Sequence, residues 1–284
     1  MRVTLWGTRG SLAAPGLETV RYGGNTSCVE VRGDDGTLVV LDAGTGIRRF
    51  GETLGSKVTR IDILLTHLHM DHIQGLGFFE PLNRPDQEVH IWGPPSTMLD
   101  LRSRLARYLS PPLFPIRLRD LPCRLTLHDV PLEGFTIGHL QITAALVIHP
   151  GPTVGYRIAE DGASLAYLPD HEPALGVDCF PAEPNWTSGF ELASGVDLLI
   201  HDAQFTADEY LLHVGWGHSA LPQTIAFATK AAVRRLVPFH YHPAHGDQML
   251  DRLFEEVCGA SELPFELTPG SEGASFQLGR RRLP

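Results

Sequence analysis

The chain has 284 residues, of which 43% are hydrophobic and 20% are charged, and its formal net charge is −10. Such a composition is ordinary for a globular protein, and the length allows a substantial core. No apolar run approaches the roughly 20 residues that a membrane-spanning helix needs. The excess of acidic side chains argues against the binding of long nucleic acids, because such binding replaces phosphate counterions with lysine and arginine side chains.

The amino-terminal segment enters a strand-like pattern directly, without the basic and apolar regions of a signal peptide. The cysteines are scattered and form no C-x-x-C pair: Cys28, Cys123, Cys179 and Cys258. That spacing is typical of reduced thiols rather than of a disulfide framework. We therefore expect a cytoplasmic protein that does not contact a membrane.

The first half of the chain alternates strand patterns with glycine turns and ends in a helix. Strands are predicted at Val3–Trp6, Cys28–Arg32, Thr37–Asp42, Ile61–Leu65 and Val89–Trp92. A short helix is expected after Gly44, and the spacing of apolar residues predicts a longer one over Thr97–Leu109. Ile61–Leu65 is almost continuously apolar, which is typical of a strand covered on both faces.

The second half of the chain follows the same order of strands and then helices. Strands are predicted at Leu125–Leu127, Leu140–Ile148, Val154–Ile158, Ser164–Leu168, Val196–His201 and Leu236–Phe239. Helices are predicted at Ser219–Val233 and Asp247–Cys258. This order suggests an α/β protein with two sheets packed face to face and helices outside, in a single domain over residues 1–284.

Four potential metal ligands follow the strand Ile61–Leu65 within six residues: His67, His69, Asp71 and His72. Sites of α/β proteins usually form at the carboxyl ends of strands. His67 and His69 are two residues apart, so in an extended segment they point the same way and can share a metal ion. Asp71 and His72 come after the chain turns and are expected to face a neighbouring point. The spacing therefore suits two metal ions side by side.

Three more candidate ligands stand at the ends of later predicted strands, namely His149, Asp170 and His240. With them the set divides into His67, His69 and His149 for one metal, and Asp71, His72 and His240 for the other, with Asp170 as a bridge. Nitrogen and oxygen ligands suit Zn²⁺, with Mn²⁺ or Fe as alternatives. Two such ions lower the pKa of a shared water, so the chemistry implied is hydrolysis by a bridging hydroxide.

This ligand set resembles that of the metallo-β-lactamase superfamily, whose fold is a four-layer αβ/βα sandwich. Residues 5–11 (LWGTRGS), 23–28 (GGNTSC) and 41–46 (LDAGTG) resemble one branch of it. That branch contains ribonuclease Z, cyclic-phosphate phosphodiesterases and class II cyclic-nucleotide phosphodiesterases. The resemblance implies a dinuclear phosphodiesterase whose substrate is a small or cyclic phosphodiester or a short oligonucleotide.

Two later segments imply residues for the chemical step. Residues 201–205 (HDAQF) resemble the branch's His-Glu-Ala-Thr segment, with Asp202 one methylene shorter than the usual glutamate. Residues 217–219 (GHS) resemble its His-Ser-Thr segment, whose histidine faces the scissile phosphate. The resemblance implies that His218, helped by His201 and Asp202, acts on the leaving oxygen or the transition-state charge. A helix cap at residues 217–219 and a structural His201–Asp202 pair are the alternatives, and Asp71 is a candidate for orienting the hydroxide.

Several histidine assignments stay open. His242 competes with His240 for the metal. His171 and Glu172 either line the pocket or are solvated, and we expect them to be solvated. His213 and Trp216 flank His218 on a glycine-rich loop and could stack on a base or pack in the core. Three further histidines are expected to be structural: His90, His128 and His139.

Three other functions compete with a phosphodiesterase for small substrates: a tRNA 3′-end endonuclease, a lactone or ester hydrolase, and a metal-binding sensor or di-iron redox module. The net charge of −10 and the lack of a long Gly/Pro-rich insertion favour a small substrate over precursor tRNA. A bridging Asp170 in place of cysteine makes a β-lactamase the weaker case. The residues after His240 are too few for the helical substrate domain of glyoxalase II. The sequence leaves open the physiological substrate, the native metal and the oligomeric state, with a homodimer as one option.

Overall fold

A computed structural model of the protein describes residues 1–55, 57–176, 180, 181, 183, 186–260 and 262–279. Its first strands are β1 (Arg2–Gly7), β2 (Cys28–Arg32), β3 (Leu38–Leu41), β4 (Arg60–Leu64), β5 (Glu88–Gly93) and β6 (Arg124–Asp129). The later strands are β7 (Phe135–Ile137), β8 (Leu140–Leu146), β9 (Val154–Glu160), β10 (Ala163–Leu168), β11 (Leu198–Asp202), β12 (Arg235–Phe239), β13 (Glu266–Leu267) and β14 (Ser275–Gln277).

These strands form two seven-stranded sheets within the described residues. The order in the first sheet is β14-β1-β2-β3-β4-β5-β6, and the order in the second is β13-β12-β11-β10-β9-β8-β7. Strands β3 to β6 run parallel to one another, and so do β10 to β13. Each sheet therefore gathers the carboxyl ends of several strands at one edge, where α/β proteins place their ligands.

The helices connect the strands, and several of them pack on the outer faces of the two sheets. They are α1 (Gly46–Thr53), α2 (Met70–Ile73), α3 (Leu101–Leu105), α4 (Phe190–Ala193), α5 (Ala207–His213), α6 (Leu221–Lys230) and α7 (Asp247–Ala260). Phe50 of α1 is fully buried in the cluster that covers the outer face of the first sheet. Phe227 of α6 does the same on the outer face of the second sheet.

The inner faces of the two sheets pack against each other and make the central core. Leu5 and Leu41 from the first sheet and Tyr156 and Ile200 from the second are fully buried in one cluster. Burial of a large apolar side chain contributes about 1.5–3 kcal/mol, so this interface is a major source of stability. The layers run helix, sheet, sheet, helix, and the predicted four-layer αβ/βα sandwich is confirmed.

The boundaries differ from the sequence prediction mainly in short elements. The helix predicted over Thr97–Leu109 is restricted to α3, because Asp100 caps its first turn by accepting a hydrogen bond from the Ser103 N–H. Strands β7, β13 and β14 and helices α4 and α5 were not predicted. The two- and three-residue edge strands carry too few residues for a hydrophobic period to show.

Two further findings bear on the sequence expectations. Among the described residues, no helix is long and apolar enough to cross a membrane. Cys28 and Cys123 are buried free thiols and Cys258 is an exposed one, whereas Cys179 lies outside the described residues.

Candidate metal centre

The segment after β4 presents its four ligands in two directions. His69 is extended, with φ −66° and ψ 154°, and immediately precedes α2. Asp71 and His72 lie in the first turn of that helix and are buried. The chain thus turns between the two pairs, as the sequence spacing predicts. One strand end supplies ligands to two adjacent points.

Four ligand atoms converge at the first of these points. His72 Nε2 lies 2.9 Å from Asp170 Oδ2, 3.2 Å from Asp71 Oδ2 and 3.3 Å from His240 Nε2. His240 Nε2 is in turn 3.1 Å from Asp71 Oδ2. Tetrahedral bonds of about 2.0 Å place ligand atoms roughly 3.3 Å apart, so this set has the spacing of a Zn²⁺-sized cation.

The second point is formed by three imidazoles. His69 Nδ1 lies 3.2 Å from His149 Nε2, and His67 belongs to the same group of ligand atoms. The other oxygen of Asp170, Oδ1, is 3.8 Å from His67 Nε2 and 3.7 Å from His149 Nε2. Asp170 therefore turns one carboxylate oxygen toward each ligand group, which is the arrangement of a bridging ligand.

Hydrogen bonds on the far side of the rings orient three of the imidazoles. The Nδ1–H of His72 donates to Asp42, and that of His149 donates to the Gly217 carbonyl oxygen. His67 Nδ1 lies 3.1 Å from the Thr66 hydroxyl, which itself donates to Asp42. In the neutral ring, each bond keeps the proton on Nδ1 and points Nε2 inward, as a metal ligand requires.

Buried polar atoms without a partner support the same conclusion. Among the described residues, His67 Nε2 and Asp170 Oδ2 are buried and make no hydrogen bond of normal geometry, although Asp170 Oδ2 lies 2.9 Å from His72 Nε2. Buried polar atoms are nearly always satisfied, so one such atom in each ligand group indicates a position for a cation. Their nitrogen and oxygen chemistry fits divalent metal ions. The seven predicted ligands are thus brought together in an arrangement that fits a divalent metal centre.

The electrostatics of the ligands suit a cation. Burial lowers the pKa of His67 well below its usual value, so the ring is neutral and keeps a lone pair. Burial raises the pKa of Asp170, but the imidazoles of His240 and His72 lower it more, and the carboxylate stays ionised. For His72, burial lowers the pKa, yet the carboxylates of Asp170, Asp71 and Asp42 raise it well above its usual value. A metal ion would take the place of that proton.

His218 lies beside the ligands rather than among them. Its ring is stacked on His240 at 5.2 Å and meets the edge of His149 at 5.0 Å. Its Nδ1–H donates to Asp202 over 2.7 Å. Burial lowers the pKa of His218, but the Asp202 carboxylate and then Asp170 and Asp71 raise it more, to about 8. The ring therefore carries a proton near neutral pH.

The Asp202 carboxylate is itself held by the backbone. It accepts hydrogen bonds from the N–H groups of Gln204, Ser219 and His171. The helix cap considered for residues 217–219 is wrong, because α6 begins two residues later and the Ser219 hydroxyl donates to the His171 carbonyl.

His201 lies behind this pair. Its Nδ1–H donates to the Asp202 backbone carbonyl, and its Nε2 lies 2.9 Å from His171 Nδ1. The ring packs on Phe227, and burial lowers its pKa to about 4, so it is neutral. The structure thus brings Asp202, but not His201, into contact with His218. Help from His201 in proton transfer stays a prediction, and its contacts would make it a positioning residue.

The other open assignments are decided by burial and contacts. The expectation that His171 and Glu172 are solvated is wrong, because both are fully buried. The ring of His242 contacts His245 and Phe205, whereas His240 lies within the ligand group. Trp216 is 59% exposed, which excludes the core role considered for it. 

Three further histidines are expected to have structural roles, and the contacts of two of them agree with that expectation. His90 and His128 pair with each other, and His128 stacks on Trp92. His139 is mostly exposed and approaches Asp35.

Sequence reasoning missed two residues that shape the site. Asp42 accepts hydrogen bonds from His72 Nδ1, Thr66 and the Tyr167 hydroxyl. Two features of the sequence mark Asp42. It directly follows β3, and it lies in the 41–46 segment, which was used above only for the family resemblance. Gly10 approaches His240 so closely that a Cβ there would lie 2.3 Å from its Nδ1. Nothing in a single sequence marks that contact.

The fold and the ligand geometry agree with a comparison to known families. A family model described as a beta-lactamase superfamily domain matches residues 37–241. The chain belongs to this superfamily. The prediction drawn from the ligand motif and from residues 5–46 is confirmed.

Relatives within the superfamily point to the predicted branch. Ribonuclease Z of Myxococcus xanthus is 26% identical over 310 aligned positions, covering 94% of this chain and 96% of that protein. The structure of human tRNase Z, short form, superposes with a TM-score of 0.68 at 22% identity, covering 98% of this chain and all of the other. A diphosphatase from the PhnP family superposes with a TM-score of 0.67 at 21% identity, covering 97% of each chain. These two structures support the fold.

Proposed function

We propose that this protein is a phosphodiesterase that hydrolyses small or cyclic phosphodiesters or short oligonucleotides at a dinuclear metal centre. The observation that carries the proposal is the His218 ring, hydrogen-bonded to Asp202, beside two ligand groups that Asp170 joins. The family match and the ribonuclease Z relatives confirm the coarser class, a metal-dependent hydrolase.

The ligands assigned to the metals are His67, His69 and His149 for one, and Asp71, His72 and His240 for the other, with Asp170 between them. Their nitrogen and oxygen atoms and their spacing favour Zn²⁺, with Mn²⁺ or Fe as alternatives. Bound there, two divalent ions would supply an activated water at neutral pH and neutralise charge on a phosphate.

The role of the protein's own side chains follows from the hydrogen bonds. Because His218 Nδ1–H donates to Asp202, Nε2 is the nitrogen that can donate to a substrate. A phosphodiester transition state gathers charge on its nonbridging oxygens and on the leaving oxygen. A positioned imidazolium can stabilise the first or protonate the second, typically for a factor of about 10² to 10⁴. We assign one of these two roles to His218, either stabilising the charge on a nonbridging oxygen or protonating the leaving oxygen as a general acid.

Asp71 has a second candidate role besides metal binding. Its Oδ2 accepts a hydrogen bond of 2.7 Å from the Ser11 N–H and lies 3.1 Å from His240 Nε2. A carboxylate fixed in this way could also accept a hydrogen bond from the attacking water. Ligand and orienting roles would then be shared by one side chain.

A tRNA 3′-end endonuclease is the second candidate, because relatives named ribonuclease Z extend over nearly the whole chain. The net charge of −10 favours the small substrate, since a long RNA needs basic groups along its backbone. A lactone or ester hydrolase uses the same metals and is the third arm of the test.

One substrate panel distinguishes these functions. The Zn²⁺-loaded protein is assayed with bis(p-nitrophenyl) phosphate, cyclic nucleotides, precursor tRNA, p-nitrophenyl phosphate and lactones. Faster turnover of the small diesters than of precursor tRNA, the phosphomonoester and the lactones supports the proposal. Efficient maturation of the tRNA 3′ end would replace it with the endonuclease, and lactone turnover above diester turnover would replace it with the esterase.

A further inference from the structure

A buried glutamate lies two residues after the bridging ligand. Glu172 is fully buried, and both of its carboxylate oxygens accept hydrogen bonds. Oε1 accepts from the Tyr210 hydroxyl at 2.7 Å, and Oε2 accepts from the Gly217 N–H at 2.9 Å. The Gly215 N–H is shared between the two oxygens at 3.1 Å each. An ionised carboxylate only accepts, and these partners supply donors.

Gly217 connects this carboxylate to the metal centre. Its N–H donates to Glu172, while its carbonyl oxygen accepts the Nδ1–H of His149 at 2.9 Å. The next residue along the chain is His218. The backbone at Gly217 thus links the Glu172 carboxylate to the candidate metal ligand His149 and, through the next peptide bond, to His218.

The turn is tightly packed at Gly217. Gly215 and Gly217 have φ of +86° and +82°, in the region that favours glycine. A Cβ on Gly217 would lie 2.5 Å from His149 Nδ1. The turn therefore packs directly against the ligand, and Glu172 is the charged group that accepts from two of its N–H groups.

We propose that Glu172 is a positioning residue, which fixes residues 215–217 so that His149 faces its metal position and His218 faces the reacting phosphate. The proposal rests on the phosphodiesterase function for its kinetic part only. A merely structural role would be expected to lower stability without altering metal affinity. Positioning predicts a change at the metal ligand itself.

The test compares Glu172→Gln with Tyr210→Phe. The glutamine keeps the shape but turns an NH₂ group toward backbone donors, whereas the phenylalanine removes one hydrogen bond to Glu172 and leaves those of the turn. Zn²⁺ affinity is measured by competition with a chromophoric chelator, and kcat and KM are measured with bis(p-nitrophenyl) phosphate. Thermal melting reports the loss of stability in both variants.

For Glu172→Gln, the affinity for at least one Zn²⁺ should fall by about tenfold or more. With saturating Zn²⁺, kcat should fall by about tenfold while KM changes little, and Tyr210→Phe should stay within about twofold of wild type in both. Wild-type affinity and kcat in Glu172→Gln would overturn the proposal, and so would equal losses in the two variants.

Two arrangements keep the result interpretable. If Glu172→Gln does not fold, Glu172→Asp replaces it, with the same loss expected because its carboxylate is one methylene further from the turn. A Glu172→Asp variant indistinguishable from wild type would overturn the proposal. If the wild type hydrolyses no diester, the phosphodiesterase function fails, while the Zn²⁺ competition still tests Glu172.

Discussion

Asp42 Oδ2 lies 2.8 Å from Nδ1 of His72, at the base of the metal centre. Asp42 also accepts hydrogen bonds from the Thr66 N–H and from the Tyr167 hydroxyl, and it is fully buried. Tyr167 belongs to the second sheet and Thr66 follows β4 of the first. The carboxylate therefore ties a metal ligand to both sheets, and the order of the site depends on the packing of the fold.

Substitution of Asp42 should weaken metal binding. In Asp42→Asn the amide cannot satisfy the donors that the carboxylate accepts, so we expect metal affinity to fall about 10- to 100-fold. Chelator competition measures this change. Asp62→Asn is the matched control, because Asp62 is also buried but accepts from Arg60 and Trp92 away from the ligands. Equal losses of metal affinity in both variants would contradict this account of Asp42.

The proton on His218 should depend on Asp202. In the metal-free protein the pKa of His218 is raised to about 8, because the carboxylates of Asp202, Asp170 and Asp71 together outweigh burial, which lowers it. In Asp202→Asn we expect that pKa to fall, since burial remains and the carboxylate that raises it most is lost. NMR titration of the ring, assigned with His218→Gln, measures it. A pKa unaffected by the substitution would disprove the dependence.

Removal of the His218 imidazole should slow catalysis and spare the metals. We expect kcat of His218→Gln to fall by about 10² to 10⁴ with the metal content unchanged. Because the protonated ring is the active form, wild-type kcat should decrease as pH rises through the pKa of His218, and the variant should lose that limb. His213→Gln, at the end of α5 and five residues before His218, serves as the control. Loss of metal from His218→Gln would make the residue a ligand.

Gly10 should be required for the position of His240. A methyl group there would collide with His240 Nδ1, and the ring sits on a backbone of φ +61° that allows little movement. We expect Gly10→Ala to lower metal affinity by about tenfold, in the range seen when ligand orientation is disturbed. Gly259→Ala is the control, since a Cβ there meets nothing within 4 Å. Isothermal titration with Zn²⁺ would reveal an unperturbed site if the contact does not matter.

The candidate ligands that the structure brings together could be picked out in the sequence because they follow strands. An apolar run that is recognisable as a strand precedes each of four candidate ligands: His67, His149, Asp170 and His240. Strands that run in the same direction bring their carboxyl ends to one edge of a sheet. Elements shorter than about four residues, such as β7 and β13, offered no period to read. The core strands were therefore predicted more reliably than the edges.

The supporting contacts could not be predicted in the same way. Glu172 looked solvated because a glutamate after a strand is usually exposed, and only the folded turn at Gly215 and Gly217 provides its donors. His201 and Asp202 are adjacent in sequence, yet β11 directs their side chains to opposite faces. The alternation of side chains along β11 therefore decides which of the two contacts His218. The hydrogen bond between His218 and Asp202 is visible only in the folded structure.

The most direct test of the central claim is the metal content and diester turnover of the wild type and of Asp170→Ala, measured on the same samples. We predict two divalent ions per chain and hydrolysis of bis(p-nitrophenyl) phosphate for the wild type. Asp170→Ala should hold fewer ions and lose turnover, because each carboxylate oxygen faces one ligand group. Full metal content and full turnover in Asp170→Ala would contradict the bridge. A metal-loaded wild type without diester turnover would contradict the phosphodiesterase.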